Sequence, residues 1–197
     1  MANISDFKAQ LIGGGARANQ FRVELSFPSY VTAGVLVGQQ AQFMCKGAQL
    51  PASTVENIPL NYRGRVVNVA GERTFAPWSV TILNDTTFTI RNAMEVWSNG
   101  VQNLATTNGR TNPREYQTDL TVHQLDRSGA IVKTYKFVDA YPISIGAIEL
   151  NFDTTNAVEE FTVEFQYNYW TSNTATSSGI GVNVSVDTPI GSLPIRI

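Results

Sequence analysis

The sequence predicts a mainly β fold, an antiparallel β-sandwich or partly closed barrel with one flanking α-helix. Valine and threonine are abundant, and with 10% aromatic residues they favour pleated, half-buried strands. Segments of alternating apolar and polar residues recur along the chain, whereas helical spacing is sustained once. Short polar sequences such as Asp126-Arg127-Ser128-Gly129 separate alternating segments as hairpin turns would. At 197 residues the chain is expected to hold one domain, a β-sandwich over 1–170, followed by a linker and extension over 171–197.

After a loose start ending in Gly13-Gly14-Gly15, Gln20 to Phe27 alternates strictly. Phe21, Val23, Leu25 and Phe27 fall on one face, which predicts a half-buried strand. Pro28 to Gly38 is small and turn-forming, and Gln40 to Lys46 reads as a second strand hairpinned to the first. Between Leu50 and Arg65, Pro51, Pro59 and Gly64 interrupt apolar residues without sustained period, predicting a long loop of the kind that is usually functional. Arg65 to Ala70 and Trp78 to Leu83 read as strands around Gly71-Glu72-Arg73-Thr74. Asn84-Asp85 can cap a helix in which Ile90, Met94, Trp97 and Val101 recur at helical spacing. Asn103 to Pro113 is a second loop. Four strands follow: Leu120 to Leu125, Ile131 to Val138, Ser144 to Phe152 and Val158 to Tyr169, the last two joined by Asp153-Thr154-Thr155-Asn156. Thr171 to Gly179 has linker composition, and Val182 to Ile197 forms a tail or an added strand.

Charge and composition exclude several functions. With 14 Lys and Arg against 16 Asp and Glu, the chain lacks the basic excess that phosphate neutralisation requires of a nucleic-acid binder. One cysteine, Cys45, allows no internal disulfide, and no Cys/His cluster suits zinc. No apolar run is long enough for a membrane span, and the N-terminus does not have the pattern of an export signal. The one histidine, His123, lies inside a strand, Gly13-Gly14-Gly15 lacks the Lys-Ser/Thr of a phosphate loop, and Glu159-Glu160 point to opposite faces. Neither an enzyme nor a cofactor or metal site is expected.

The last two strands carry an unusual face. Ile148, Leu150 and Phe152 oppose Glu149, Asn151 and Asp153; on the partner, Phe161, Val163, Phe165, Tyr167 and Tyr169 oppose Glu160, Thr162, Glu164, Gln166 and Asn168. Paired as a hairpin, the polar residues would form one acidic face without Lys or Arg, whereas solvent-facing sheets mix both signs. Such a face is either an ordinary exposed surface or the wall of a passage through which a polyanion such as DNA moves without sticking.

Three longer motifs carry a family resemblance: Asn19-Gln20-Phe21-Arg22-Val23-Glu24, Phe43-Met44-Cys45-Lys46-Gly47-Ala48-Gln49-Leu50-Pro51-Ala52, and Val69-Ala70-Gly71-Glu72-Arg73-Thr74-Phe75-Ala76-Pro77-Trp78. Over roughly Asn19 to Trp170 the chain resembles the tail tube proteins of contractile-tailed, T-even-like bacteriophages, with Gly71, Glu72, Arg73, Thr74, Phe75 and Trp78 at the centre of the likeness. The resemblance implies a structural virion protein, assembled in the host cytoplasm without membrane insertion. It implies hexameric rings stacked into a tube, each ring closing a barrel around the channel. The implied partners are sheath, baseplate and tail terminator proteins, with DNA passing through the lumen without specific binding. Ala48 to Gly64 matches the family segment that reaches a neighbouring ring, so Val55, Ile58, Leu60 and Tyr62 are expected to be buried by a partner. Pro28 to Gly38 looks longer than the family's usual turn, and everything beyond Trp170 exceeds the common C-terminus. Two other functions remain open: the tube of a related injection or secretion system, and a β-sandwich binding module of a tail fibre or baseplate. The latter would expose aromatics at loop tips, whereas Trp78, Trp97 and Trp170 fall in regular elements.

Overall fold

The computed structural model describes residues 3–11 and 15–173. Its strands are β1 (Phe21–Glu24), β2 (Cys45–Ala48), β3 (Thr54–Tyr62), β4 (Arg65–Thr74), β5 (Trp78–Leu83), β6 (Thr118–Leu125), β7 (Ile131–Ile145), β8 (Glu160–Gln166) and β9 (Tyr169–Ser172). The helices are α1 (Ile4–Gln10), α2 (Gly34–Met44), α3 (Thr89–Val101) and the short α4 (Pro113–Tyr116). Seven strands form an antiparallel sheet in the order β1-β6-β7-β8-β5-β2, with β9 also on β7, while β3 and β4 pair only with each other. The first half of β7 pairs with β6 and β9, and its last residues pair with β8. One long strand therefore belongs to both layers of a sandwich that is open at β1 and β2 and is not a closed barrel.

Alternation places the core. Trp78, Val80 and Ile82 of β5 face inward beside Phe161, Val163 and Phe165 of β8. They meet Leu120 and Val122 of β6 and Phe137 of β7, whose ring stacks on Trp78 at 4.2 Å between centroids. Each such side chain contributes roughly 1.5–3 kcal/mol by leaving water. Helix α3 adds Ile90, Met94 and Trp97, as its spacing predicts. Asp85 caps it from outside: Phe88 adopts a left-handed conformation (φ 54°) at the N-cap, and Thr89 N donates to Asp85 Oδ1 at 2.9 Å.

Several expectations are corrected. Gln40 to Lys46 is not a strand paired with β1: β1 pairs with β6, and α2 occupies most of that segment. Gly34, Gly38 and Ala41 form a small-residue face that lets the helix settle on the first strand and its continuation. A Cβ on Gly38 would stand 2.6 Å from the Leu25 carbonyl oxygen, and one on Gly34 2.7 Å from Phe27 Cβ. The fold thus has a second flanking helix. The loop expected between Leu50 and Arg65 is a strand, β3, and Gly71-Glu72-Arg73-Thr74 belongs to β4 instead of a turn. No hairpin joins Ser144 to Phe152 with Val158 to Tyr169: β8 pairs with β5 and β7, and 146–159 has no helix or strand. Strand β9 carries the sandwich past the boundary expected at Trp170, and the remainder of the expected linker and tail, from 174 onward, lies outside the described residues.

Candidate assembly surfaces

The β3–β4 hairpin is built on a two-residue turn in which Arg63 (φ 47°) and Gly64 (φ 79°) both take positive φ, as the favoured hairpin turn requires. Register puts Ile58 opposite Val69, Leu60 opposite Val67 and Tyr62 opposite Arg65, so their side chains share one face. Asn57, Asn61 and Asn68 occupy the other, where Asn57 Nδ2 donates to Asn68 Oδ1 at 3.0 Å. The result is an amphipathic two-stranded arm whose apolar face is exposed along its whole length. An isolated two-stranded hairpin is marginal in water, so this face needs a cover.

The residues that carry the family resemblance form the root of that arm. Gly71 sits at the bulge between Val55 and Asn57, where a Cβ would come within 3.0 Å of the Glu56 carbonyl oxygen. Phe75 packs against Tyr167, and Trp78 is buried with its indole N–H donating to the Gln49 carbonyl at 2.7 Å. The Trp170 indole donates to the Ala52 carbonyl at 3.3 Å. Two indoles thus grip the segment entering the arm. Glu72, Arg73 and Thr74 are exposed on the arm itself, with Arg73 opposite Val55 and Thr74 opposite Thr54.

The polar face predicted for the last strands survives on β8 and acquires different neighbours. Glu160, Thr162, Glu164 and Gln166 point away from the core, beside Leu83, Thr81 and Ser79 of β5 and Ser144 and Tyr141 of β7. The Thr81 and Thr162 hydroxyls lie 3.4 Å apart. Lys46 of β2 forms an ion pair with Glu160, so the face is not free of basic residues as the sequence suggested. It is rich in hydroxyls, with Glu164 as its further carboxylate. Glu149, Asn151 and Asp153 do not join it. They lie in 146–159, where Asn151 Oδ1 accepts from Asp153 N at 2.9 Å, and Glu149 and Asn151 line a cleft beside Lys46 and Glu160. Asn168 is also elsewhere, at the β8–β9 corner, donating to Asp139 Oδ2 at 2.9 Å. Lys46 escaped sequence reasoning because only the long-range β2–β5 pairing brings it there. Ser79 and Thr81 were legible in the alternation of β5.

The remaining chemical groups have structural surroundings. His123 is buried with Nδ1 2.9 Å from the Thr134 hydroxyl, linking β6 to β7, while Nε2 lies 3.4 Å from Glu24 Oε1 without a hydrogen bond. Burial pushes the Cys45 thiol up to about 12, so it stays protonated and unreactive at neutral pH. Among the described residues no His, Cys, Asp and Glu cluster could hold a metal ion, and no helix is long and apolar enough to cross a membrane.

Comparison with known proteins identifies the family to which these strands and helices belong. The phage tail tube protein family matches residues 16–173. Tail tube protein gp19 of Enterobacteria phage T4 is 34% identical over 161 residues, spanning 80% of this chain and 92% of the relative. The tail tube protein of Serratia phage KSP90 is 27% identical over 172 residues, 85% and 95% of the two chains. Among solved structures, the tube-terminating cap of the anti-feeding prophage superposes with a TM-score of 0.59 at 14% identity, covering 80% of this chain and 90% of that one. The sheath/tube terminator of an extracellular contractile injection system gives 0.56 at 12% identity, covering 80% and 96%. At those identities the likeness is one of fold. Sequence and fold together assign this chain to the phage tail tube protein family, as a structural subunit of the virion.

Proposed function

We propose that six copies close side by side into a ring and that rings stack through the β3–β4 arm, giving a tube that conducts DNA. The observation that carries this reading is the arm: an ordered ribbon, gripped at its root, with an apolar face that the other described residues leave exposed and that a neighbouring subunit would cover. Lateral closure would use the open edges of one layer, β2 and the last residues of β7, and would remove both edges at once. The lumen would then be the β8–β5 face. Its basic residue among the described strands, Lys46, is paired with Glu160, and Glu164 adds negative charge, so the face would present DNA phosphates with no unpaired cation. Sheath, baseplate and terminator proteins are the partners this tube would meet, and no catalysis is involved.

Negative-stain electron microscopy across a concentration series tests the reading. Wild-type protein should give stacked hollow rings. Ile58→Asp with Leu60→Asp should leave a folded subunit that forms none, and normal tubes from that variant would overturn the role of the arm. Glu164→Lys with Gln166→Lys should form tubes that retain DNA fragments, whereas unchanged DNA retention would place the lumen on another face.

A further inference from the structure

We infer that helix α1 of one copy docks on the outward face of α2 of a neighbouring copy, a contact between subunits separate from the arm; it rests on the tube reading above. Both helices present apolar residues that the other described residues leave exposed. On α1, Ile4, Phe7 and Leu11 recur at helical spacing, with Phe7 67% exposed, and no residue of the helix is buried. A helix this short is unstable alone in water even with the capping box that Asn3 and Asp6 supply, so its order implies a partner surface. On α2, Val35, Leu36 and Phe43 point outward, with Phe43 85% exposed, although Gly38 holds the opposite face tightly on the Leu25 backbone. The outward side chains are therefore presented by a helix that cannot turn to hide them.

Charge identifies the occupant as apolar. No Asp, Glu, Lys or Arg lies between Glu24 and Lys46, so the exposed face of α2 lacks the charges that keep a solvent-facing helix soluble. Depletion of charge over an apolar patch marks the centre of a lasting interface, and lasting interfaces are the more hydrophobic class. In a self-assembling chain, α1 supplies one apolar stripe per subunit for each α2 face. The two stripes match in length, about 10 Å from Ile4 to Leu11 and about 12 Å from Val35 to Phe43 at the helical rise per residue. Arg17 is held on its own subunit by Gln124, whose Nε2 donates to the Arg17 carbonyl at 2.8 Å, and from that anchor back to Leu11 the chain can span at most roughly 20 Å toward a neighbouring copy.

The test is photo-crosslinking from benzoylphenylalanine placed at Phe43, in tubes grown from mixed isotopically light and heavy subunits. Crosslinks between copies to residues 3–11 are expected in tubes and not in dilute monomer. Crosslinks within one copy, to a different segment, or to none would overturn the inference. Independently, Phe7→Asp should raise the protein concentration needed for tube growth by about tenfold or more, since a buried aromatic is lost from each contact. Unchanged growth would overturn it too. If wild-type protein makes no tubes, the assembly reading itself fails, an outcome distinct from tubes that form without this contact.

Discussion

Strands β5 and β8 and strands β3 and β4 are both antiparallel pairs with one apolar face, yet one pair lies at the centre of the core and the other stands in solvent. In the first, Trp78, Val80 and Ile82 meet a second layer and a helix of the same chain. In the second, Ile58, Leu60, Val67 and Val69 meet one another across the hairpin and no second layer among the described residues. Alternation therefore reports which face of a strand is apolar, but not whether its cover belongs to the same chain. Where the cover is intramolecular, the apolar face contributes to folding; where it is not, the same physics is left available for the contact between copies proposed above.

The comparison can be broken by measuring stability of the free subunit. Trp78→Ala should have the largest effect, about 3–5 kcal/mol in denaturant unfolding, because it empties the space against Phe137 and frees the Gln49 carbonyl. Gly38→Ala should cost about 1–3 kcal/mol, because its methyl would meet the Leu25 backbone, which cannot step aside as a side chain could. Asp85→Asn should act more weakly, lowering stability at neutral pH and leaving it unchanged in strong acid. The Thr87 hydroxyl, then Thr89, holds the Asp85 carboxyl below its ordinary value of 3.8. Its contribution is therefore present above that pH and is lost as pH falls through the lower folded value. The variant should flatten that acid limb of the stability profile, and an unchanged limb would show the cap to be inert. Val67→Asp on the arm should have the smallest effect, within about 0.5 kcal/mol, while blocking tube growth. A large loss of subunit stability there would mean the arm packs within its own chain.

Much of the sandwich was legible because its signal is local. Phe161, Val163 and Phe165 announce an inward face whichever strands flank them, and Ile90, Met94 and Trp97 announce α3. What failed was pairing. The sequence neighbours of β8 suggested a hairpin through Asp153 to Asn156, whereas its ladder partners come from β5 and β7, chosen by core packing. Helix α2 was missed because its buried side is made of Gly34, Val37, Gly38 and Ala41, in which one large apolar residue gives no hydrophobic period. The apolar residues of the arm and most of β4 were found, as Arg65 to Ala70, but β3 was not: Pro59 argues against a strand interior unless the strand is an edge, as β3 is. Of the expected polar face, the residues on β8 came together by alternation alone, while Glu149, Asn151 and Asp153 depended on a pairing that does not form.

Strand β7 has a mechanical consequence. Because the same backbone runs from the β6–β9 side into the β8 side, the two layers are joined by peptide bonds as well as by side-chain contact. A load that tries to slide one layer over the other is therefore taken up in tension along a covalent strand. The two layers cannot part until one of the ladders on that strand is torn. A subunit so built resists shear between its two layers as a unit.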